Sequence, residues 1–174
     1  MKLMIASDLH GSAYYWEQLL AVLPGGGAGG PPLLGDLLYH GPWNDLPRDY
    51  APKRVIKLLN GVKEHLLCVR GNCDTEVDQM VLDFPILAEY GLLGQRPCAL
   101  CRSRPPRCRR RRGPSCWGGH THVPAWEMRD GVRYVNPGSV SIPKENSPHS
   151  YLTVEHRQFQ WKTLEGAVWK REAL

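Results

Sequence analysis

The first 75 residues alternate between short apolar runs and segments whose apolar side chains recur at helical spacing. The apolar runs, which we predict to be buried strands, are residues 2–6, 33–34 and 65–69. Between them, Ser12 is in position to cap one helix and Pro52 to open another, and each is followed by apolar residues at helical spacing. This order of strands and helices is typical of a largely parallel sheet with right-handed crossovers, so the sequence predicts an α/β fold.

The last third of the sequence has a different pattern, with the alternation of apolar and polar residues that is typical of half-buried strands. A strand is predicted at residues 132–135, ending in a tight turn at 136–138, and a hairpin at 151–154 and 159–164. A length of 174 residues suits one domain with its own core, and we predict a single domain over residues 1–174.

The sequence contains no membrane-spanning or secretory pattern. No apolar run approaches the roughly 20 residues that a membrane-spanning helix requires. The N-terminus reaches an acidic residue, Asp8, too early for the apolar core of a secretory signal. We therefore expect a cytoplasmic protein with no membrane partner, and the sequence leaves its oligomeric state open.

The positive charge of the chain comes from one segment. The formal net charge is +5, with 22 Lys and Arg against 17 Asp and Glu, but eight of the 22 are arginines between Gly94 and Gly118. The remaining 14 basic residues are outnumbered by the 17 acidic ones, so the rest of the chain is mildly acidic. Net charge therefore gives no general argument for a surface that binds nucleic acid.

Side chains that can bind metal ions come directly after the predicted strands or after the apolar stretch that ends near residue 119. They are Asp8, His10, Asp36, Asn72, His120 and His122. Loops beyond the carboxyl ends of parallel strands meet in one crevice, so these side chains are expected to lie together. Alternate residues of an extended chain point the same way, which lets an Asp-x-His or His-x-His pair chelate one ion. A mixed set of Asp, His and Asn ligands suits Mn, Fe, Zn or Co better than Ca or Mg.

The order of these motifs resembles the calcineurin-like metallophosphoesterase superfamily, and within it the small bacterial phosphodiesterases. The matching segments are 7–11 (SDLHG), 34–36 (LGD), 39–42 (YHGP), 70–74 (RGNCD), 119–122 (GHTH) and 136–141 (NPGSVS). The resemblance covers about residues 1–22, 33–90 and 117–155. It implies a four-layer αββα sandwich, in which two mixed β-sheets are flanked by helices.

The resemblance also implies a phosphoesterase with two metal ions. The first ion would be held by Asp8, His10, Asp36 and His122, and Asp36 would bridge to a second ion held by Asn72, His120 and one further histidine. We expect Mn²⁺, with Zn, Fe or Co as alternatives. The two ions would share a hydroxide and neutralise the phosphoryl oxygens during in-line attack. The implied substrate is a small phosphodiester.

Four further residues receive roles from their motif positions. By the resemblance, Asp74 would orient a neighbouring group. Cys73 stands where many family members carry a histidine that assists the leaving oxygen, which favours diesters with good leaving groups; alternatively, Cys73 is a small buried residue with no role in catalysis. His40 and Asn44, in the loop after Asp36, would line the substrate cleft or form a purely structural turn.

The sequence departs from the family in two tracts, at about residues 24–32 and 94–118. The first is rich in Gly and Pro, and the second, rich in Arg, Pro and Cys, stands where the family has a strand and the further second-site histidine. No histidine lies between positions 74 and 120, and we expect neither strand nor helix in 94–118. We interpret both tracts as out-of-frame translation of GC-rich coding sequence, because such codons encode Gly, Pro, Arg and Ala and the motifs resume in register after each tract.

Residues 94–118 admit three interpretations. The cysteines at 98, 101, 108 and 116 resemble a zinc knot, but the second pair lacks compact spacing. The arginine run at 107–112 would attract nucleic acid electrostatically, but no aromatic residue is interleaved with it. The interpretation that we favour is a solvated loop with no selected role.

The missing histidine affects the expected activity. With one of several ligands lost, the second ion is expected to bind weakly and the hydrolytic activity to be low or absent. The alternative function is therefore a catalytically impaired or inactive family member that acts as a metal-binding or scaffold protein.

Overall fold

The computed structural model describes residues 3–23, 31–93, 98–101 and 115–174, and within these ranges strands and short helices follow one another along the chain. The elements are β1 (Leu3–Ile5), α1 (Ala13–Ala21), β2 (Pro32–Leu33), α2 (Pro52–Asn60), a 3₁₀ helix (Lys63–His65), β3 (Leu67–Cys68), α3 (Glu76–Gln79), β4 (Tyr90–Leu93), β5 (Cys98–Cys101), β6 (Ser115–Trp117), β7 (Ala125–Arg129), β8 (Val132–Asn136), β9 (Ser150–Glu155), β10 (Gln158–Thr163) and β11 (Val168–Ala173). Most of the Gly/Pro tract, Cys108 and the arginine run lie outside the described residues.

The first sheet has β1 near its centre. On one side β1 pairs antiparallel with β9, which continues through the antiparallel strands β10 and β11. On the other side the chain just after β1 joins β2 through a parallel bridge between Ala6 and Leu33, and β2 pairs parallel with β3. The result is a mixed sheet in the order β3-β2-β1-β9-β10-β11, in which the parallel half holds the first three strands predicted from the sequence.

The second sheet is also mixed and has the order β4-β5-β6-β8-β7. Its strands β5, β6 and β8 run parallel to one another, while β4 and β7 pair antiparallel at the two edges. The α/β class and the sandwich of two mixed sheets that the sequence predicted are therefore confirmed.

The expectation that residues 94–118 contain no strand is wrong. β5 begins and ends within this tract and pairs with both β4 and β6, and β6 pairs with β8 as well. Strand pairing of this kind depends on neighbours that are distant in sequence, so local composition does not reveal it. The side chains of β6 are buried, which fits a strand in the interior of a sheet.

Two apolar clusters hold the layers together. Alternate residues of β1 point to opposite faces, so Met4 and Ala6 join a cluster with Trp16 of α1 and Leu59 of α2, while Ile5 joins the other cluster. That second cluster lies between the sheets and contains side chains from both, among them Trp117, Val135, Phe159 and Trp161. The helices α1 and α2 thus cover one face of the first sheet, and the second sheet covers the other.

Both helices that pack on the first sheet begin where the sequence predicts. Ser12 caps α1, its side chain accepting a hydrogen bond from the backbone N–H of Tyr15 at 3.3 Å. Pro52 is the first residue of α2. Among the described residues, no helix has both the length and the apolar character needed to cross a membrane.

Candidate metal centre

The loops that follow β1 and β2 are joined by backbone hydrogen bonds. The N–H of Asp8 donates to the carbonyl of Gly35 at 3.2 Å, and the N–H of His10 donates to the carbonyl of Asp36 at 2.8 Å. The loop after β6 reaches the same place, because the N–H of His120 donates to Oδ1 of Asp8 at 3.2 Å. The polar residues at these strand ends therefore meet in one crevice, as their positions in the sequence predict.

Asp8, His10 and His122 form a buried triad whose ligand atoms lie within 4.8 Å of one another. The two histidine Nε2 atoms are 3.1 Å apart. Oδ1 of Asp8 lies 3.9 Å from Nε2 of His10 and 3.6 Å from Nε2 of His122. The carboxylate and both rings are removed from solvent, so bulk water does not satisfy their polar atoms.

The tautomers of both histidines follow from their backbone partners. Nδ1 of His10 lies 2.7 Å from the carbonyl of Tyr39, and Nδ1 of His122 lies 2.7 Å from the carbonyl of Ile142. A carbonyl oxygen only accepts, so each Nδ1 carries the proton and donates it, and in a neutral ring Nε2 carries a lone pair. Two lone pairs and a carboxylate therefore face one small space, an arrangement that a cation stabilises.

Burial favours the neutral forms of the triad. It lowers the pKa of His122 to about 4 and also lowers the pKa of His10. Burial raises the pKa of Asp8 well above its ordinary value, and the charge of Asp36 raises it further. Oδ2 of Asp8 is buried and receives no hydrogen bond of normal geometry from the described residues. An unpaired carboxylate oxygen beside two neutral imidazoles suits a divalent metal ion.

Asp36, Asn72 and His120 make a second group beside the triad. Nδ1 of His120 and Oδ1 of Asn72 form a short hydrogen bond of 2.5 Å, which joins the loops after β3 and β6. Asp36 is buried, and its Oδ1 accepts the backbone N–H of Cys73 at 2.7 Å. Asn72 and His120 are exposed. This more open group contains three of the ligands that the resemblance assigns to a second ion.

Five of the six predicted metal ligands have a left-handed backbone. Their φ angles are 59° for Asp8, 46° for His10, 57° for Asp36, 74° for His120 and 61° for His122. Such a conformation costs about 1 kcal/mol or more for a residue with a Cβ, and it persists only where the surroundings enforce it. At these five positions, just beyond strand ends, the left-handed backbone turns the side chains toward one another.

Asp74 links the loop after β2 to the loop after β3 through hydrogen bonds from their backbones. Its Oδ2 accepts the N–H groups of Asp36 at 2.8 Å and Gly71 at 2.7 Å, and its Oδ1 accepts the N–H of Leu37 at 2.9 Å. Burial raises the pKa of Asp74 to about 6, although these three donors act in the opposite direction. The carboxylate thus fixes the backbone on which Asp36 stands.

Two glycines allow this close approach of loops. A Cβ on Gly35, whose φ is +86°, would lie 2.1 Å from the backbone nitrogen of Gly71. A Cβ on Gly71 would lie 2.2 Å from Oδ1 of Asp36. Any side chain at either position would push the loops, and with them Asp36, out of place.

The loop after Asp36 forms a tight turn over Cys73. Nδ2 of Asn44 donates to the carbonyl of His40 at 2.8 Å, and a Cβ on Gly41 would lie 3.2 Å from Sγ of Cys73. Burial and the charge of Asp36 raise the pKa of Cys73 to about 12, so its thiol stays protonated at neutral pH. Nδ1 of His40 is buried and lacks a hydrogen-bond partner among the described residues.

Sequence reasoning missed the groups that support the triad. The hydroxyls of Ser139 and Ser141 both donate to the backbone carbonyl of Asp8 at 2.9 Å, which holds its left-handed conformation. The segment 136–141 matched a family motif, so a signal was present, but it indicated only a turn beside the site. The carbonyls of Tyr39 and Ile142 have no sequence signal, because every residue carries one.

Comparison with known proteins agrees with this architecture. The family model described as a calcineurin-like phosphoesterase superfamily domain matches residues 1–158. Phosphodiesterase YfcE of Escherichia coli strain K12 is 45% identical over 163 residues, which are 87% of this chain and 85% of that protein. The solved structure of Yfce, a phosphoesterase from E. coli, has a TM-score of 0.89 and 39% identity, covering 99% of each chain.

A more distant structure shows the fold alone. A conserved protein of Streptococcus pneumoniae, described as a predicted phosphoesterase, has a TM-score of 0.60 at 16% identity, covering 99% of this chain and 97% of that one. The family match spans most of the sequence, including every residue of the triad and of the second group. This chain therefore belongs to the calcineurin-like phosphoesterase superfamily, a family of phosphoric ester hydrolases whose chemistry uses divalent metal ions.

Proposed function

We propose that this protein is a metal-dependent phosphodiesterase that hydrolyses small phosphodiesters at a dinuclear metal centre. The observation that carries the proposal is the convergence of two Nε2 lone pairs and the Asp8 carboxylate, with the Nε2 atoms 3.1 Å apart. The relative that is 45% identical is named a phosphodiesterase, which supports a diester as the substrate class.

The charges of the crevice support metal binding. Asp8, Asp36 and Asp74 are all buried, and in the described part of the chain none of them forms an ion pair with Lys or Arg. Like charges held together out of water are unfavourable unless a cation compensates them. We infer that Asp8, His10, Asp36 and His122 hold the first ion and that Asp36, Asn72 and His120 contribute to a second.

The side chains have distinct tasks in this proposal. When bound, divalent cations, for which we expect Mn²⁺, supply positive charge to the phosphoryl group and lower the pKa of the attacking water. Asp74 positions the backbone of Asp36, and the carbonyls of Tyr39 and Ile142 keep Nε2 of His10 and His122 free of protons.

Cys73 keeps its thiol proton and is a poor acid, so diesters whose leaving groups need no protonation are favoured. The turn that contains His40 and Asn44 would line the substrate cleft.

The second ion is expected to bind more weakly than the first. The chain has no histidine between positions 74 and 120, where the resemblance places the last ligand of the second ion. This absence also favours the other candidate function, a catalytically impaired family member that binds metal or serves as a scaffold. If the tract at 94–118 is out of frame, resequencing of the gene will reveal a shift; an uninterrupted frame would contradict that interpretation.

Hydrolysis of bis(p-nitrophenyl) phosphate in the presence of Mn²⁺ separates the two functions. The phosphodiesterase proposal predicts turnover that is lost on chelation and falls by about 100-fold or more in Asp36→Asn. The matched control is Asp130→Asn, in the exposed turn between β7 and β8, which is expected to keep wild-type activity. Mn²⁺ binding without turnover in the wild-type protein would instead support the impaired member.

A further inference from the structure

Lys144 lies in a turn that is attached directly to the triad. Its backbone N–H donates to the carbonyl of His122 at 3.3 Å. Its own carbonyl accepts the N–H and the hydroxyl of Ser147, at 3.1 Å and 2.6 Å. Two residues earlier, the carbonyl of Ile142 accepts Nδ1–H of His122. The turn therefore holds Lys144 at a fixed place beside His122.

The positive charge of Lys144, whose backbone is bonded to His122, acts on both rings of the triad. Burial is the main reason that the pKa values of His10 and His122 are low, and the positive charge of Lys144 lowers both further. Among the described residues, no other Lys or Arg has a comparable effect on these two histidines. Lys144 is exposed, in a turn whose backbone is bonded to that of His122.

The ammonium of Lys144 forms no ion pair with a carboxylate of the described residues. In the described ranges, Lys63 pairs with Asp83 and Lys170 with Glu172, whereas no carboxylate lies within 4.0 Å of the Lys144 nitrogen. The buried carboxylates of the crevice do not pair with it either. A lysine that is held by its backbone beside an anion-processing site, and that has no acidic partner, is free to bind a substrate anion.

On the basis of the proposed function, we propose that Lys144 binds the phosphoryl group of the substrate, its ammonium donating a hydrogen bond to a non-bridging oxygen of the phosphodiester. The ligand class is a phosphoryl anion, for which a lysine serves as a compact point charge with three donors. The contact adds a fixed positive charge of the protein itself to the charge that metal ions supply.

The test compares three variants with the wild-type protein. Lys144→Met removes the charge and keeps the length of the side chain, and Lys144→Arg restores the charge. Lys57→Met is the control, because Lys57 is an exposed lysine on α2 with no ion pair among the described residues. Each protein, loaded with Mn²⁺, is titrated with inorganic phosphate by calorimetry. Its kcat/KM for bis(p-nitrophenyl) phosphate is measured between about 50 and 300 mM salt.

Lys144→Met is expected to bind phosphate about 10- to 100-fold more weakly, to lose kcat/KM by a similar factor, and to show a flatter salt dependence. Its Mn²⁺ content is expected to equal that of the wild type, Lys144→Arg to recover part of the loss, and Lys57→Met to match the wild type. Wild-type phosphate affinity and salt dependence in Lys144→Met would overturn the proposal. So would a loss that is explained by an equal loss of bound Mn²⁺.

This test is distinguishable from that of the phosphodiesterase proposal. If wild-type protein binds phosphate but does not turn over the diester, the proposed function fails, while calorimetry still decides whether Lys144 binds the phosphoryl group. If the wild type turns over the diester and Lys144→Met does so equally well, the proposed function stands and the role of Lys144 is refuted.

Discussion

Nε2 of His10 lies 3.1 Å from Nε2 of His122, and neither neutral ring has a proton to place between them. Both imidazoles donate their Nδ1–H to a backbone carbonyl, so two lone pairs point at each other beside the Asp8 carboxylate. Without a cation, these buried and unpaired polar atoms reduce the stability of the fold.

Asp8→Asn is expected to stabilise the metal-free protein while weakening its metal binding. The substitution replaces a buried carboxyl group whose pKa is raised by burial and by the charge of Asp36, so that its ionised form is unfavourable without a metal ion. The new amide can donate toward the histidine lone pairs. We expect a gain of about 1–2 kcal/mol in the free energy of unfolding in EDTA. We also expect at least a tenfold loss of Mn²⁺ affinity. Urea titration and calorimetry measure the two effects; a less stable metal-free variant would refute the account of Asp8.

The stability of the metal-free protein is expected to depend on pH through His122. Its pKa is about 4 in the folded chain against an ordinary value of 6.5. Between these two pH values, His122 is therefore protonated in the unfolded chain and neutral in the folded chain. The contribution of His122 is therefore fully present above pH 6.5 and is lost as the pH falls toward 4. Asp74, with a raised pKa of about 6, acts in the opposite direction over part of this window.

The variant His122→Gln isolates this effect. Between about pH 7 and about pH 5, the urea midpoint of the wild type in EDTA is expected to fall by more than that of the variant, since glutamine does not titrate. His65→Gln, at an exposed histidine of the 3₁₀ helix, is the control and is expected to follow the wild type. Equal losses in wild type and His122→Gln would show that His122 is not held neutral by the fold.

Asp74→Asn is expected to reduce both stability and activity, although Asp74 is not assigned as a metal ligand. Three backbone N–H groups point at its two oxygens, and an amide would turn its own N–H₂ toward at least one of them. The expected cost is about 1–3 kcal/mol in the free energy of unfolding. Asp83→Asn, an exposed residue paired with Lys63, is expected to change stability by less than about 0.5 kcal/mol. Equal urea midpoints for the two variants would contradict the role given to Asp74.

Gly71→Ala is expected to disrupt the contact between the loops that follow β2 and β3. The new Cβ would lie 2.2 Å from Oδ1 of Asp36, against buried backbone that has no room to move. We expect a cost of about 1–3 kcal/mol in stability together with reduced Mn²⁺ affinity. Gly61→Ala is the matched control, because Gly61 has a φ of −65° at the end of α2 and a Cβ there would come no closer than 3.3 Å to another atom, the carbonyl oxygen of Lys57. Normal metal binding in Gly71→Ala would show that this contact is dispensable.

The sequence was sufficient to predict the elements that place the ligands. Local signals at Ser12 and Pro52 mark the starts of α1 and α2, and the apolar runs before Asp8 and Asp36 mark strands. These predictions succeed because capping, proline geometry and apolar periodicity are local properties of the chain. The meeting of the ligands in one crevice followed from the rule for parallel strand ends.

What the sequence did not predict depends on distant partners. β5 and β6 form strands through pairing with β4 and β8. The edge strands β7 and β11 likewise depend on pairing with a neighbouring strand rather than on composition. The carbonyl that fixes the tautomer of His122 belongs to the backbone of Ile142. Because every residue has such a carbonyl, the sequence does not show which one is the partner. The hydrogen bond between the Lys144 backbone and the His122 carbonyl likewise requires the folded turn.

Metal content after dialysis against Mn²⁺ and then against buffer tests the central claim most directly. The wild-type protein is expected to retain about one equivalent of Mn²⁺ per chain, held by the triad and Asp36, and His122→Ala is expected to retain almost none. His65→Ala is expected to match the wild type. Two tightly retained equivalents would contradict the weak second site, and no retained Mn²⁺ in the wild-type protein would contradict the metal centre itself.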